Sequence, residues 1–454
     1  MDNVQAFSQR VYECVPGYRS FLKAHAASIE GAFGELPLQT KQNYLLEYPI
    51  ETLCWNGSLG NCHLIGSSSG FSKSGSVFWP KRPDDEQQYL ESLEGLLIQH
   101  YGIDEGRTLI LCCMALGTWF GGMAITAALR VIAATGRLPI TVCTPGLHLA
   151  EAVDVYARFF TNFTKVIWIT NPSNIALITA LIRKKGITAP PGTCYFPVVG
   201  EYFSETFRES IAVRYGHAAH EPFVLWTGYG SADAGDIGYE TAATIRLRKF
   251  FHSHTAVGRD LFGTDDTPMM LALAPKAHVE VLEGKIIVSK DQLVPLVRYN
   301  TGDEGGVLTR AELARSGAVP EELLIELPER ILFVRGRASN SIIFYGTNLN
   351  VQEINQHFLG LPRDMAYTGL FTVRKVERGD VAVFEFKILV EHLGDGALAS
   401  RYHDALISYL KGQSLEFETK YSNLTRSIGE ELISVQVEVL TGSTGAIKHR
   451  YIID

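Results

Sequence analysis

Five short segments hold residues whose types and spacing suit chemistry on a phosphate or a carboxylate. The first, Gly66 to Ser76, is the densest run of small polar residues in the chain. Backbone amides freed by glycine, the hydroxyls of Ser68, Ser69 and Ser72, and the Lys73 ammonium form a donor set able to wrap a polyphosphate. It is not a Walker A loop, because Phe71 stands where the second glycine belongs, counting from Gly66, and no Gly-Lys-Ser follows. A solvated Ser/Gly loop has the same composition. The second segment, WTGYGSADAG at 226–235, ends an apolar run. Tyr229 offers an aromatic face there and Asp233 a hard oxygen ligand for Mg2+, although an ordinary glycine-rich turn contains the same residues. In the third, RYNTGD at 298–303, Asp303 is able to accept two hydrogen bonds from a ribose diol, and a plain hairpin turn at Thr301-Gly302-Asp303 is the alternative. The fourth, residues 333–354, spaces Gly336, Arg337 and Gly346 as strand, turn and strand, with Arg337 either a phosphate or ribose ligand or a surface arginine. The last, TGSTGAIKHR, carries Lys448 in a glycine-containing segment where a lysine is usually just solvated.

Residues so far apart need a scaffold to meet, and the sequence describes one. Helical patterns (Gln87 to Tyr101, Met123 to Ala134, Leu149 to Phe160, Ser173 to Lys185, Ser204 to Tyr215) alternate with strand-like runs (from Thr108, ITVCT, KVIWIT, CYFPVVG, FVLWTGYG). That order predicts parallel βαβ units with both faces covered, and ligands in such sheets bind at the carboxyl ends of the strands. The uncharged run Thr108 to Leu129 is long enough to cross a bilayer, but Gly117, Gly121 and Gly122 divide it into a buried strand, a turn and a helix. After Ser231 shorter β-like runs follow, with a turn expected at Glu283-Gly284. Past Gly336 comes a mixed segment of about 120 residues. The expected domains are therefore 1–335 and 336–454.

Composition narrows the function. The 454 residues contain 41 Lys plus Arg against 49 Asp plus Glu, a formal charge of −8, which argues against a nucleic-acid binder but not against a small anionic ligand. Seven cysteines without a C-x-x-C pair suggest a reducing compartment and no zinc site. MDNVQAFSQR lacks the charge and hydropathy pattern of an export signal, so a cytoplasmic protein with no membrane partner is expected.

The order of these segments resembles the adenylate-forming superfamily, most closely its phenylacetate-coenzyme A ligase branch. LPLQTKQNYLLEYP looks like that branch's Pro-x-x-Thr-Lys lead-in, SSGFSKS its phosphate loop, and GTWFGG and TNPSN its acyl-pocket segments. VVGEYFSETFR is similar to its Gly-Ala-Glu-Pro-Trp region, YGSAD to its Tyr-Gly-x-x-Glu motif, LVPLVRYNTGD to its Arg-Tyr-x-Thr-Gly-Asp motif, and GRASNSIIFYGTNLNVQEI to its hinge and following strand pair. The resemblance implies an α/β fold: a large N-terminal domain of mixed, largely parallel sheets flanked by helices, with a small mobile α+β C-terminal lid. It implies ATP and Mg2+ as cofactors, coenzyme A as a candidate co-substrate, and a carboxylic acid made into an acyl-AMP with release of pyrophosphate. By matching position, Ser68, Ser69, Gly70, Ser72 and Lys73 would touch pyrophosphate. Glu201, Tyr229, Gly230, Ser231 and Asp303 would hold the nucleotide, Asp233 the metal, and Arg337 and Lys448 would be catalytic. Trp119, Phe120, Phe203 and Trp226 would line a pocket for a hydrophobic acid, although aromatics at such sites are often core.

The sequence departs from the family pattern at several of these positions. Phe71 replaces a hydroxyl and Lys73 a glycine, Asp233 replaces the usual Glu, and Ser339 stands at the hinge Asp. The adenylation lysine normally follows its glycine directly, but here Gly445 is followed by Ala446 and the lysine is Lys448. Two residues along an extended chain restore the same face about 7 Å further on, so Lys448 still suits the role if the segment slides. Transfer to coenzyme A is the expected second step. Transfer to an amine, or a degenerate homologue that binds without turnover, are the alternatives, and a homodimer stays open.

Overall fold

The computed structural model describes residues 3–67, 77–262, 267–337, 341–378, 381–393 and 396–439. Ser68, Ser69, Gly70, Ser72, Lys73 and Lys448 lie outside these, as does Ser339. Two helices, Val4–Cys14 and Pro16–Ala24, open the chain, and an antiparallel pair follows, β1 (Leu64–Ser67) with β2 (Phe78–Lys81). Ser67 stands opposite Phe78 and Leu64 opposite Lys81, so the serine-glycine stretch leaves the pair at the Ser67 end.

Five parallel strands come next: β3 (Thr108–Cys112), β4 (Ile140–Cys143), β5 (Lys165–Ile169), β6 (Cys194–Val198) and β7 (Leu225–Ser231). They lie in the order 4-3-5-6-7, joined through the helices Phe120–Ala134, Leu149–Phe159, Pro172–Lys184 and Glu205–Arg214. Every residue of β3 is buried, as expected of a parallel strand covered on both faces. The run from Thr108 is thus a strand, a turn and a helix, and among the described residues no helix is long and apolar enough to cross a membrane. Gly122 makes that turn possible. A methyl group there would lie 1.8 Å from the Ala115 carbonyl oxygen.

At β7 the sheet changes character. β8 (Gly235–Tyr239) folds back antiparallel to β7, and β9 (Met269–Leu273), β10 (Ala277–Leu282), β11 (Lys285–Lys290), β12 (Leu296–Thr309) and β13 (Arg330–Arg337) complete an 11-stranded mixed sheet in the order 10-11-12-13-9-8-7-6-5-3-4. Glu283 and Gly284, both left-handed at φ 51° and 73°, make the expected hairpin turn between β10 and β11. RYNTGD departs from the simple turn reading. It lies inside β12, a continuous strand of 14 residues paired on both edges, where Gly302 (φ 81°) takes up an irregularity in register.

A separate small domain follows. β14 (Ser341–Phe344) and β15 (Thr347–Asn350) form a hairpin, while β16 (Tyr367–Arg378), β17 (Val381–Val390) and β18 (Ile433–Val439) form a three-stranded sheet. Its helix Leu415–Ile428 lies against the helices Leu149–Phe159 and Pro172–Lys184 of the large domain. One continuous apolar cluster runs from Trp168, Ile178 and Phe196 through to Phe344, Phe384 and Phe417.

Candidate active site

The hairpin that reverses the sheet carries two of the expected polar residues, and β12 meets it with the third. The Tyr229 hydroxyl donates to Asp303 Oδ2 at 2.7 Å, and the Tyr299 hydroxyl donates to Asp233 Oδ2. Asp233 is held from behind as well, its carbonyl oxygen accepting from Gln292 Nε2 at 2.6 Å. Two features make the hairpin tight enough for this. The Ser231 hydroxyl accepts the Ala234 amide at 3.1 Å, and a methyl group on Gly230 would stand 2.5 Å from the Gly235 carbonyl oxygen. Asp303 is only 9% exposed, and the register of β12 with β13 sets it directly opposite Arg337. The described backbone therefore brings together Tyr229, Gly230, Ser231, Asp233, Asp303 and Arg337.

The lead-in segment braces this corner. Gln39 accepts from the Val297 amide through Oε1 at 2.9 Å and exchanges backbone hydrogen bonds with Arg298 and Asn300. Arg298 is buried with a left-handed φ of 51°, a conformation that costs energy in a residue with a side chain. Its guanidinium holds it there by donating to the carbonyls of Gly34 and Leu36.

On the other flank Ser67 is clamped to the GTWFGG segment. Its amide donates to the Thr118 carbonyl at 2.6 Å and its hydroxyl to Thr118 Oγ1 at 3.0 Å. This seats Trp119 and Phe120, both partly exposed, beside the point where the serine-glycine stretch begins. The Lys81 ammonium lies 4.8 Å over the Phe120 ring and donates to Gln292 Oε1 at 3.2 Å. Burial pushes that ammonium down to about 8, against the opposing pull of Asp85, Asp236 and Asp233. Phe203 and Trp226 are core residues, 4% and 6% exposed. The Phe203 ring packs between the guanidinium groups of Arg208 and Arg248, and Trp226 Nε1 donates to the Tyr101 hydroxyl.

Arg208 and Arg248 belong to a fully buried ionic network with Glu205 and Glu240. Glu240 also accepts the Thr227 amide at 3.0 Å, and Arg248 donates to the Phe203 carbonyl. The network ties the loop carrying Glu201 to the root of the Tyr229 hairpin. Glu201 is itself buried and close enough to Tyr345 of the small domain to act on its hydroxyl electrostatically. Tyr345 and Gly346 form the tip of the β14–β15 hairpin, which sits on Asn171 of the TNPSN segment. A methyl group on Gly346 would come within 2.7 Å of Asn171 Nδ2. That same nitrogen donates to the Val199 carbonyl at 2.7 Å, so TNPSN, VVGEYF and FYGTN meet at one place.

No protein-family model and no curated protein sequence matches the chain. Solved structures do. A crystal structure of 2-hydroxyisobutyryl-CoA ligase in complex with 2-HIB-AMP and CoA in the thioesterification state superposes with a TM-score of 0.62 at 12% identity, covering 99% of this chain and 88% of that one. The fold is that of the adenylate-forming enzymes. The same ligase in the postadenylation state with 2-HIB-AMP, and in an open conformation with 2-HIB-AMP and CoA, gives 0.52 in each case, at 12% identity and 99% coverage of this chain.

An adenylate-forming fold implies a divalent cation, and the residues present fit one. Among the described residues no group of three metal-ligating side chains occurs, so a fully protein-built cage is absent. A single carboxylate pinned in orientation, as Tyr299 and Gln292 pin Asp233, suits Mg2+, which keeps most of its shell for water and substrate phosphate. Tyr299, Gln292 and Lys81 escape the sequence reading. Only Tyr299 lay within a quoted motif, and its partner is 66 residues away in the chain.

Proposed function

We propose that the protein activates a small carboxylic acid with ATP as an acyl-AMP, releasing pyrophosphate, and then passes the acyl group to coenzyme A. The observation that carries this reading is the convergence of Tyr229, Asp233 and Asp303 at one corner, where the sheet reverses direction. A carboxylate is a poor electrophile until one of its oxygens joins a good leaving group, so the protein must align it for in-line attack on the α-phosphate. Asp303 grips the ribose, and Tyr229 both orients Asp303 and lies along the base. Asp233 holds Mg2+, which neutralises charge on the phosphate oxygens when bound. The serine-glycine stretch begins beside Trp119, and its hydroxyls with Lys73 take the departing pyrophosphate. Trp119 and Phe120 face the acid, which favours a hydrophobic body. Glu201, Arg337 and Lys448 complete the set, with Arg337 on the ribose or phosphate side.

Coenzyme A is preferred over an amine as the acceptor because the ligase whose fold this chain shares is seen in complex with CoA. Lys448 serves the first step. Lys448→Ala lowers acid-dependent pyrophosphate exchange by orders of magnitude, and an unchanged exchange rate removes Lys448 from the mechanism. Incubation with an accepted acid, ATP and either coenzyme A or candidate amines, read by mass, tests the acceptor. A thioester supports this reading, and an amide without thioester replaces it with the amide-forming one.

A further inference from the structure

Lys81 is a buried ammonium that the reading above does not use. It is 5% exposed, and among the described residues the hydrogen-bond partner of its ammonium is the neutral Gln292 amide oxygen at 3.2 Å. Among the described residues no carboxylate lies within ion-pair distance of it; Asp85, Asp236 and Asp233 act on it only from further away. A buried cation without an anion is among the least favourable arrangements a protein interior holds, and an anionic ligand arriving beside it offsets that cost. Gln292 joins it directly to the Asp233 loop.

Phe120, Tyr89 and Lys290 are partly exposed and Asp236 is exposed. Lys290 Nζ donates at 2.5 Å to the Asp236 carbonyl oxygen rather than to its carboxylate. Asp236 opens to solvent yet is crowded by protein on its other sides. That crowding pushes its carboxyl upward against the pull of Lys290 and Lys81. The hairpin register places Lys81 three residues from the Ser67–Phe78 pair, roughly 10 Å along the strand from the start of the serine-glycine stretch. Lys81 is thus on the Phe120 side of the site.

Building on the function proposed above, we propose that the Lys81 ammonium is a ligand-contacting cation, meeting an anionic oxygen of the bound substrate between Phe120 and the Asp233 loop. The anionic oxygen belongs to the organic acid or to the nucleotide, and the two are separable. The opposing reading is a structural lysine that props Gln292.

The experiment uses the full chain and the variants Lys81→Met and Lys81→Gln. It measures thermal midpoint, binding of magnesium with a non-hydrolysable ATP analogue, and the KM of an accepted acid in pyrophosphate exchange. A ligand contact predicts an unchanged or higher thermal midpoint together with about a 10- to 100-fold loss in one of the two affinities. A raised acid KM with intact analogue binding assigns the oxygen to the acid; weakened analogue binding assigns it to the nucleotide. Folded variants that keep both affinities within about twofold overturn the proposal while leaving acid activation standing. A lower midpoint in both variants, with both affinities kept, makes Lys81 structural. A wild-type chain that binds no analogue and exchanges no pyrophosphate overturns the function and this inference together.

Discussion

Asp303 is the residue on which nucleotide recognition turns, and its environment allows a graded test. Tyr229 donates to one of its oxygens and so fixes the orientation of the carboxylate. Asp303→Asn turns an acceptor pair into one acceptor and one donor, and binding of the magnesium-ATP analogue weakens about 10- to 100-fold by titration calorimetry. Tyr229→Phe keeps the ring and loses the orienting bond to Asp303, so its loss is smaller, on the order of threefold to tenfold. Equal affinities in the wild type and Asp303→Asn place the nucleotide elsewhere. These acids were legible in the sequence only through the order of their motifs along the chain, since an Asp in a glycine-rich turn is by itself ordinary. Their partners were not. Tyr229 and Asp303 are 74 residues apart, and only the assembled sheet brings them within a hydrogen bond. Lys81 gave no signal, since lysine is among the residues least often buried and a single one after a Trp-Pro pair reads as surface.

The parallel half of the sheet was readable from periodicity, with strand and helix limits shifted by only a few residues from Thr108 to Ser231. The antiparallel half was less so. A Thr-Gly-Asp triplet has the composition of a hairpin turn, and what keeps it within a strand is pairing on both edges with β11 and β13, which local sequence does not encode. The β14–β15 hairpin has a test of its own. Gly346 has a φ of 84°, and Asn171 fills the space a methyl group would need. Gly346→Ala therefore works against the present docking of the small domain by both strain and overlap. On the reading that this docking serves acyl transfer, the variant slows thioester formation about tenfold or more and leaves pyrophosphate exchange within about twofold. Equal loss in both half-reactions, measured separately, contradicts that division of labour.

At the scale of the whole molecule, the two domains share an apolar core and the large domain contains a titrating element away from the site. His100 stacks on Phe223 with ring centres 3.9 Å apart, and burial pushes its imidazole down to about 4 from an ordinary 6.5. The folded state binds its proton less readily than the unfolded state. The contribution of neutral His100 is present above pH 6.5 and is lost as the pH falls towards 4. His100→Phe keeps the stack and removes the proton. Urea unfolding at pH 7 and pH 4.5 then shows an acid-side loss smaller by about 1–3 kcal/mol in the variant, and identical losses in both proteins contradict the assignment.

The account rests on a nucleotide and an organic acid meeting at the corner built by Tyr229, Asp233 and Asp303. Acid-dependent exchange of labelled pyrophosphate into ATP, screened over aromatic, aliphatic and amino acids, reports that meeting without requiring an acceptor. The account predicts exchange with at least one acid, greatest among those with apolar bodies, and its loss in Asp303→Ala. Exchange absent for every acid, or exchange that survives Asp303→Ala undiminished, contradicts it.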